Sequence, residues 1–109
     1  MNSDDPRGII ELGNINIKCL IFRINNGDTS EILSTAVTQS EGIHNGVIVN
    51  LTNASQVVRS CISTSEKKAK VSLKKLTWLS NNLNFYVLNF PNIEKLMDPK
   101  FIKMILNFY

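Results

Sequence analysis

Gly13 and Asn14 are the pair in this chain best placed to do chemistry. A glycine beside a small polar residue, set between two apolar runs, can turn the backbone so that its N–H groups face an anion. Taken alone, the same dipeptide also reads as a plain hairpin turn. The other reactive side chains are scattered. His44, the only histidine, falls between Gly42 and Gly46 in an expected loop and reads as a surface residue. Cys19 and Cys61 are far apart, lack metal-ligand spacing, and read as buried small hydrophobes. Asp4, Asp5 and Asp28 belong to a tail and a turn. No serine or cysteine has the surroundings of a nucleophile, and no acid–base constellation is visible, so enzymatic chemistry by this chain is not expected.

Three strands must hold the Gly13-Asn14 turn. Residues 8–12 form a short apolar run, and residues 15–24 a second strand rich in β-branched side chains. Asn26-Gly27 is a strong hairpin signal, because a type I′ turn needs positive φ at both central positions. It leads into a third strand at 29–37. A short strand at 47–50 and a helix at 53–69 follow. Ala54, Val57, Val58, Cys61, Ile62 and Ser65 fall on one helical face. Thr52 or Asn53 can supply the N-cap oxygen. Glu66 and Lys70 are four apart in the favourable order for an ion pair. The apolar face must pack on the three-stranded antiparallel sheet, giving a layered α/β unit. Burying Val57, Val58 and Ile62 would stabilise it by roughly 1.5–3 kcal/mol each.

Residues 40–71, SEGIHNGVIVNLTNASQVVRSCISTSEKKAKV, resemble the FtsA family of bacterial cell-division proteins. The Gly42-x-x-x-Gly46 segment, the short strand and the helix containing Glu66 follow the order of that family. The opening is similar too. The family pattern is roughly Asp-x-Gly-Ser/Thr-x-x-Ile-Lys, and this chain has Glu11-Leu12-Gly13-Asn14-Ile15-Asn16-Ile17-Lys18. The likeness covers about residues 7–72. It implies a partial actin-like (ribonuclease H-like) α/β domain and a nucleotide phosphate loop. By resemblance, Glu11 would order Mg²⁺ through water, Gly13 would admit the phosphates to the backbone, and Asn14 and Lys18 would meet phosphate oxygens. Glu11 stands where the family has Asp, and Asn14 where it has a hydroxyl residue. The full-length family binds ATP and Mg²⁺, self-assembles, and links the FtsZ ring to the inner membrane from its cytoplasmic face at the division site. Its membrane contact is a C-terminal helix that these residues do not include. No cofactor is expected on this segment alone, since the second lobe of the site lies elsewhere.

Length and charge agree with one cytoplasmic domain. The 109 residues are 43% apolar, with no run of 18 apolar residues to span a bilayer and no signal-peptide pattern at the polar N-terminus. Net charge is +3, and Lys67, Lys68, Lys70, Lys74 and Lys75 form a basic cluster. It reads as the solvated end of a helix, with no aromatics interleaved for base stacking, so a nucleic-acid partner is not expected. The expected divisions are a disordered 1–7, a family-like 8–75 and a non-family tail at 76–109. The tail is dominated by Asn, Leu, Phe, Lys and Ile, as AT-rich DNA gives in any frame. New codons built from each third base and the next two bases force Gly at Met97-Asp98, Asp at Met104-Ile105 and Leu at Phe108-Tyr109. The shifted frame can then read EQPEFLCTKFSKYRKIDGSKIYKDDFEFL, which resembles the family, so a frameshift near 72–78 is expected. The alternative is a small stand-alone interaction module, without nucleotide binding, that pairs through an exposed edge strand.

Overall fold

The computed structural model describes residues 5–25, 29–45, 47–79 and 85–89. The expected turn at 26–28, Gly46 and the tail from residue 90 lie outside the described residues. The elements in chain order are β1 (Arg7–Leu12), β2 (Asn16–Ile24), β3 (Ser30–Gln39), β4 (Ile43–His44), β5 (Val47–Ile48), α1 (Leu51–Ala69), β6 (Lys75–Leu79) and β7 (Phe85–Asn89). Strands β1, β2 and β3 run antiparallel, as their sequence pattern requires. Their alternation sorts side chains between two faces. Ile10 and Leu12 of β1 and Ile17, Cys19 and Ile21 of β2 are buried, and they meet Ala54, Val57, Val58, Cys61 and Ile62 of α1 in one core. Across this interface the Ser34 hydroxyl donates to the Ser65 carbonyl at 2.7 Å and lies 2.8 Å from the Ser65 hydroxyl. Among the described residues no helix is long and apolar enough to cross a membrane.

The sheet does not stop at three strands. Its order is β3-β2-β1-β6-β7, with β6 parallel to β1 and β7 antiparallel to β6, while β4 and β5 form a separate two-stranded sheet. Residues 75–79 escape a local reading because a parallel partner needs no turn signal beside it; it is selected by distant backbone pairing. Gly8 makes room for this join. It faces Leu76 in the register, and a methyl group there would meet the Leu73 Cδ1 at 2.7 Å.

The helix begins two residues before the expected start. Its N-cap is Asn50, not Thr52 or Asn53: the Asn53 N–H donates to the Asn50 side-chain oxygen at 3.0 Å. That early start shortens the expected strand at 47–50 to Val47–Ile48. Gly42 takes φ +77, and its carbonyl accepts N–H bonds from Val49 and Asn50 at 2.8 and 3.1 Å. A side chain there would strike the Asn50 carbonyl, so the helix start is built against a residue with no Cβ. At the other end Lys70 adopts the left-handed conformation, and its N–H caps the Glu66 carbonyl.

The Glu66 carboxylate is taken up by the backbone, and Lys70, four residues on, is the left-handed C-cap rather than a helical residue. Glu66 is 7% exposed, and its carboxylate accepts the Leu73 N–H at 2.8 Å. Burial raises its pKa above the ordinary carboxylate value, partly offset by that bond. The two cysteines are buried and free, as expected. Burial pushes the Cys19 thiol up to about 12 and also raises that of Cys61, so both are poor nucleophiles.

Candidate functional site at the first hairpin turn

The turn between β1 and β2 lies one residue beyond the expected pair. Gly13 donates its N–H to the Asn16 carbonyl at 3.0 Å, so Asn14 and Ile15 form the tip. Positive φ among the described residues occurs at Gly42, Asn45 and Lys70, so neither tip residue uses it. Glycine is needed at 13 for closeness, since a Cβ there would lie 2.5 Å from the Asn16 carbonyl oxygen. Ser40, just past β3, fixes the turn from the side. Its N–H donates to the Ile15 carbonyl at 2.8 Å and its hydroxyl to the Gly13 carbonyl at 2.5 Å. No local signal singles out Ser40 from the sequence, because its role depends on where β3 ends beside β2.

Glu11 and Lys18 are direct partners in the β1–β2 register, and both are exposed. Opposite charges facing each other across an antiparallel pair are mutually favourable. They stand on the face away from α1, where a depression of about 280 Å³ is lined by Ile9, Glu11, Lys18, Leu20, Thr35 and Val37, with Cys19 and Ala36 at its floor. Glu11 and Lys18 line the depression, whereas Gly13 and Asn14 lie in the adjoining β1–β2 turn and not in its lining.

This corner offers little of what a whole nucleotide needs. The Gly13 N–H is committed to turn closure, and most of the lining is apolar. The volume lies at the lower edge of small-molecule sites. Among the described residues no three His, Cys, Asp or Glu side chains converge as a metal site. One carboxylate, one ammonium and one amide can face a phosphate edge and its hydrated cation, but the described residues leave the base and sugar without a pocket.

No family model matches the chain. It is similar to the cell division protein FtsA of Streptococcus pneumoniae, at 29% identity over 65 residues, which are 60% of this chain and 14% of that protein. Its backbone is similar to that of diol dehydratase-reactivating factor in the nucleotide-free form. The TM-score is 0.55 at 12% identity, covering 68% of this chain and 12% of that one. This chain thus spans a small fraction of the length of either protein. The structural likeness shows the fold alone: a mixed α/β unit.

Proposed function

We propose that this chain is the opening segment of an FtsA-like cell-division protein and holds the first strands and first helix of an actin-like lobe. The observation that carries the reading is the coincidence of two independent likenesses. A cell-division protein shares sequence with it, and an actin-like protein shares its backbone. In the complete protein, Glu11, Gly13, Asn14 and Lys18 face the phosphate side of an ATP site, with Glu11 acting on Mg²⁺ through water. The extra methylene of Glu11 and the amide of Asn14 weaken that role relative to the Asp and hydroxyl residue of the family pattern, because Mg²⁺ demands near-ideal octahedral geometry. Linkage of an FtsZ ring to the inner membrane belongs to the complete protein as well.

The segment alone binds no nucleotide in this reading, since it supplies one edge of a two-lobed site. Isothermal titration of the chain with Mg-ATP tests this. We expect no saturable heat up to millimolar nucleotide. Micromolar binding lost in Lys18→Ala would mean that the turn and its depression form a complete site in this chain.

A further inference from the structure

We propose that the outer edge of β3 is a latent pairing site for the same edge of a second copy of this chain, and that the Lys68 ammonium holds it closed by occupying the Thr35 carbonyl. Every residue involved precedes the expected frame break, and nucleotide binding plays no part. Among the described residues β3 is the last strand on its side of the sheet, beyond β2. In an antiparallel strand the N–H and C=O of one residue point to one side and those of the next residue to the other. The Ser40 N–H turns inward to the Ile15 carbonyl. Counting back from it, the backbone groups of Thr35, Val37 and Gln39 lie on the outer edge. The Lys68 Nζ, in the last turn of α1, donates to the Thr35 carbonyl at 3.1 Å on that edge.

Residues 32–39, ILSTAVTQ, contain no charge, glycine or proline, and Ile32 and Val37 are 67% and 62% exposed. Uncharged, β-prone segments on an exposed edge are templates for edge-to-edge pairing. The occupant this edge fits is β3 itself. A two-fold axis sets two copies of one strand antiparallel, so a single row of backbone groups serves both. Thr35 then faces Val37 in both directions, with no like charges opposed. Two features oppose the pairing. Leu33 is left out of the register, between the Ser34–Ile21 and Ile32–Phe22 partners, and such a bulge bends one half of the strand. Lys68 guards the other half. A second strand would have to displace its charge-assisted bond to Thr35 and strip water from a strongly hydrated ammonium.

Sedimentation velocity of the full chain beside Lys68→Ala is the test. Lys68→Ala should self-associate about tenfold more tightly, because one charge-assisted hydrogen bond per copy no longer competes. Lys68→Arg keeps a donor and should behave as the native chain. Adding Val37→Pro to Lys68→Ala should restore native behaviour, since proline removes an outward N–H and leaves the pairing with β2 intact. Amide exchange should show new protection at Thr35, Val37 and Gln39 in the Lys68→Ala dimer. If Lys68→Ala does not fold, Lys68→Met, which keeps the stem and lacks the ammonium, decides by the same measurements. Equal self-association of the native and Lys68→Ala chains, association untouched by Val37→Pro, or protection confined to residues 85–89 would overturn the proposal.

Discussion

The Glu66 carboxylate joins the last turn of α1 to the approach of β6 through the Leu73 N–H. Removing the acceptor with Glu66→Ala leaves that amide unpaired in the interior, so urea unfolding should show a loss of about 1–3 kcal/mol. Glu66→Gln keeps an acceptor and removes the charge. The pH dependence separates the two effects. Burial raises the folded-state pKa of Glu66, so the folded chain holds a proton where the unfolded chain has released it. Stability from this group is present in full below the ordinary carboxylate range and is lost as pH rises through the raised folded value. Unfolding free energy measured across that window should fall with pH in the native chain and fall less in Glu66→Gln; an unchanged slope would contradict the assignment. The inward position was legible in outline, since Val58, Ile62 and Glu66 form one i, i+4 row on the buried stripe. Charge argued for the outside, and a backbone N–H seven residues on reversed that preference. The turn shows the opposite limit. Gly13 was singled out for admitting phosphates to the backbone, whereas its closeness is to the Asn16 carbonyl and its N–H closes the hairpin, a commitment set by the β1–β2 register.

At the scale of elements, α1 and the first three strands follow from periodicity, and the whole expected stripe from Ala54 to Ser65 is buried. The element boundaries follow from capping chemistry that periodicity does not carry. Asn50 rather than Thr52 caps the helix because the Gly42 carbonyl accepts the N–H groups of Val49 and Asn50 just before it, and Gly42 leaves room for that approach. Gly42→Ala should therefore destabilise by more than the roughly 1–3 kcal/mol of a left-handed non-glycine residue, since the added methyl also lies 2.8 Å from the Ala54 nitrogen. Thermal unfolding would measure it, and a shift no larger than that of an ordinary surface substitution would contradict this account of the helix start. The placement of strands β6 and β7 beside β1 could not be read in advance. Their place depends on β1, on the space above Gly8, and on the Glu66–Leu73 contact that brings the chain back to the sheet.

At the scale of the molecule, one face of the sheet is packed and the other carries exposed apolar and basic side chains. Such a unit is physically consistent with an edge of a larger layered assembly, and the chain spans 14% of the cell-division protein it resembles. The fold class was legible because order and spacing of local elements fix it. Of the candidate site, the facing of Glu11 and Lys18 follows from the hairpin, while the Ser40 contacts that fix the turn depend on where β3 ends beside β2. We propose that these residues open a longer FtsA-like protein and that a frameshift near residues 72–78 puts the following tail out of its native frame, the break falling at β6, which pairs with β1 in register. Sequencing the source DNA across codons 70 to 115 and beyond tests it most directly. We predict that one inserted or deleted base restores a frame reading close to EQPEFLCTKF and continuing through the rest of an actin-like protein. An intact frame through Tyr109 followed by a stop codon, with no such continuation in either shifted frame, would contradict the claim.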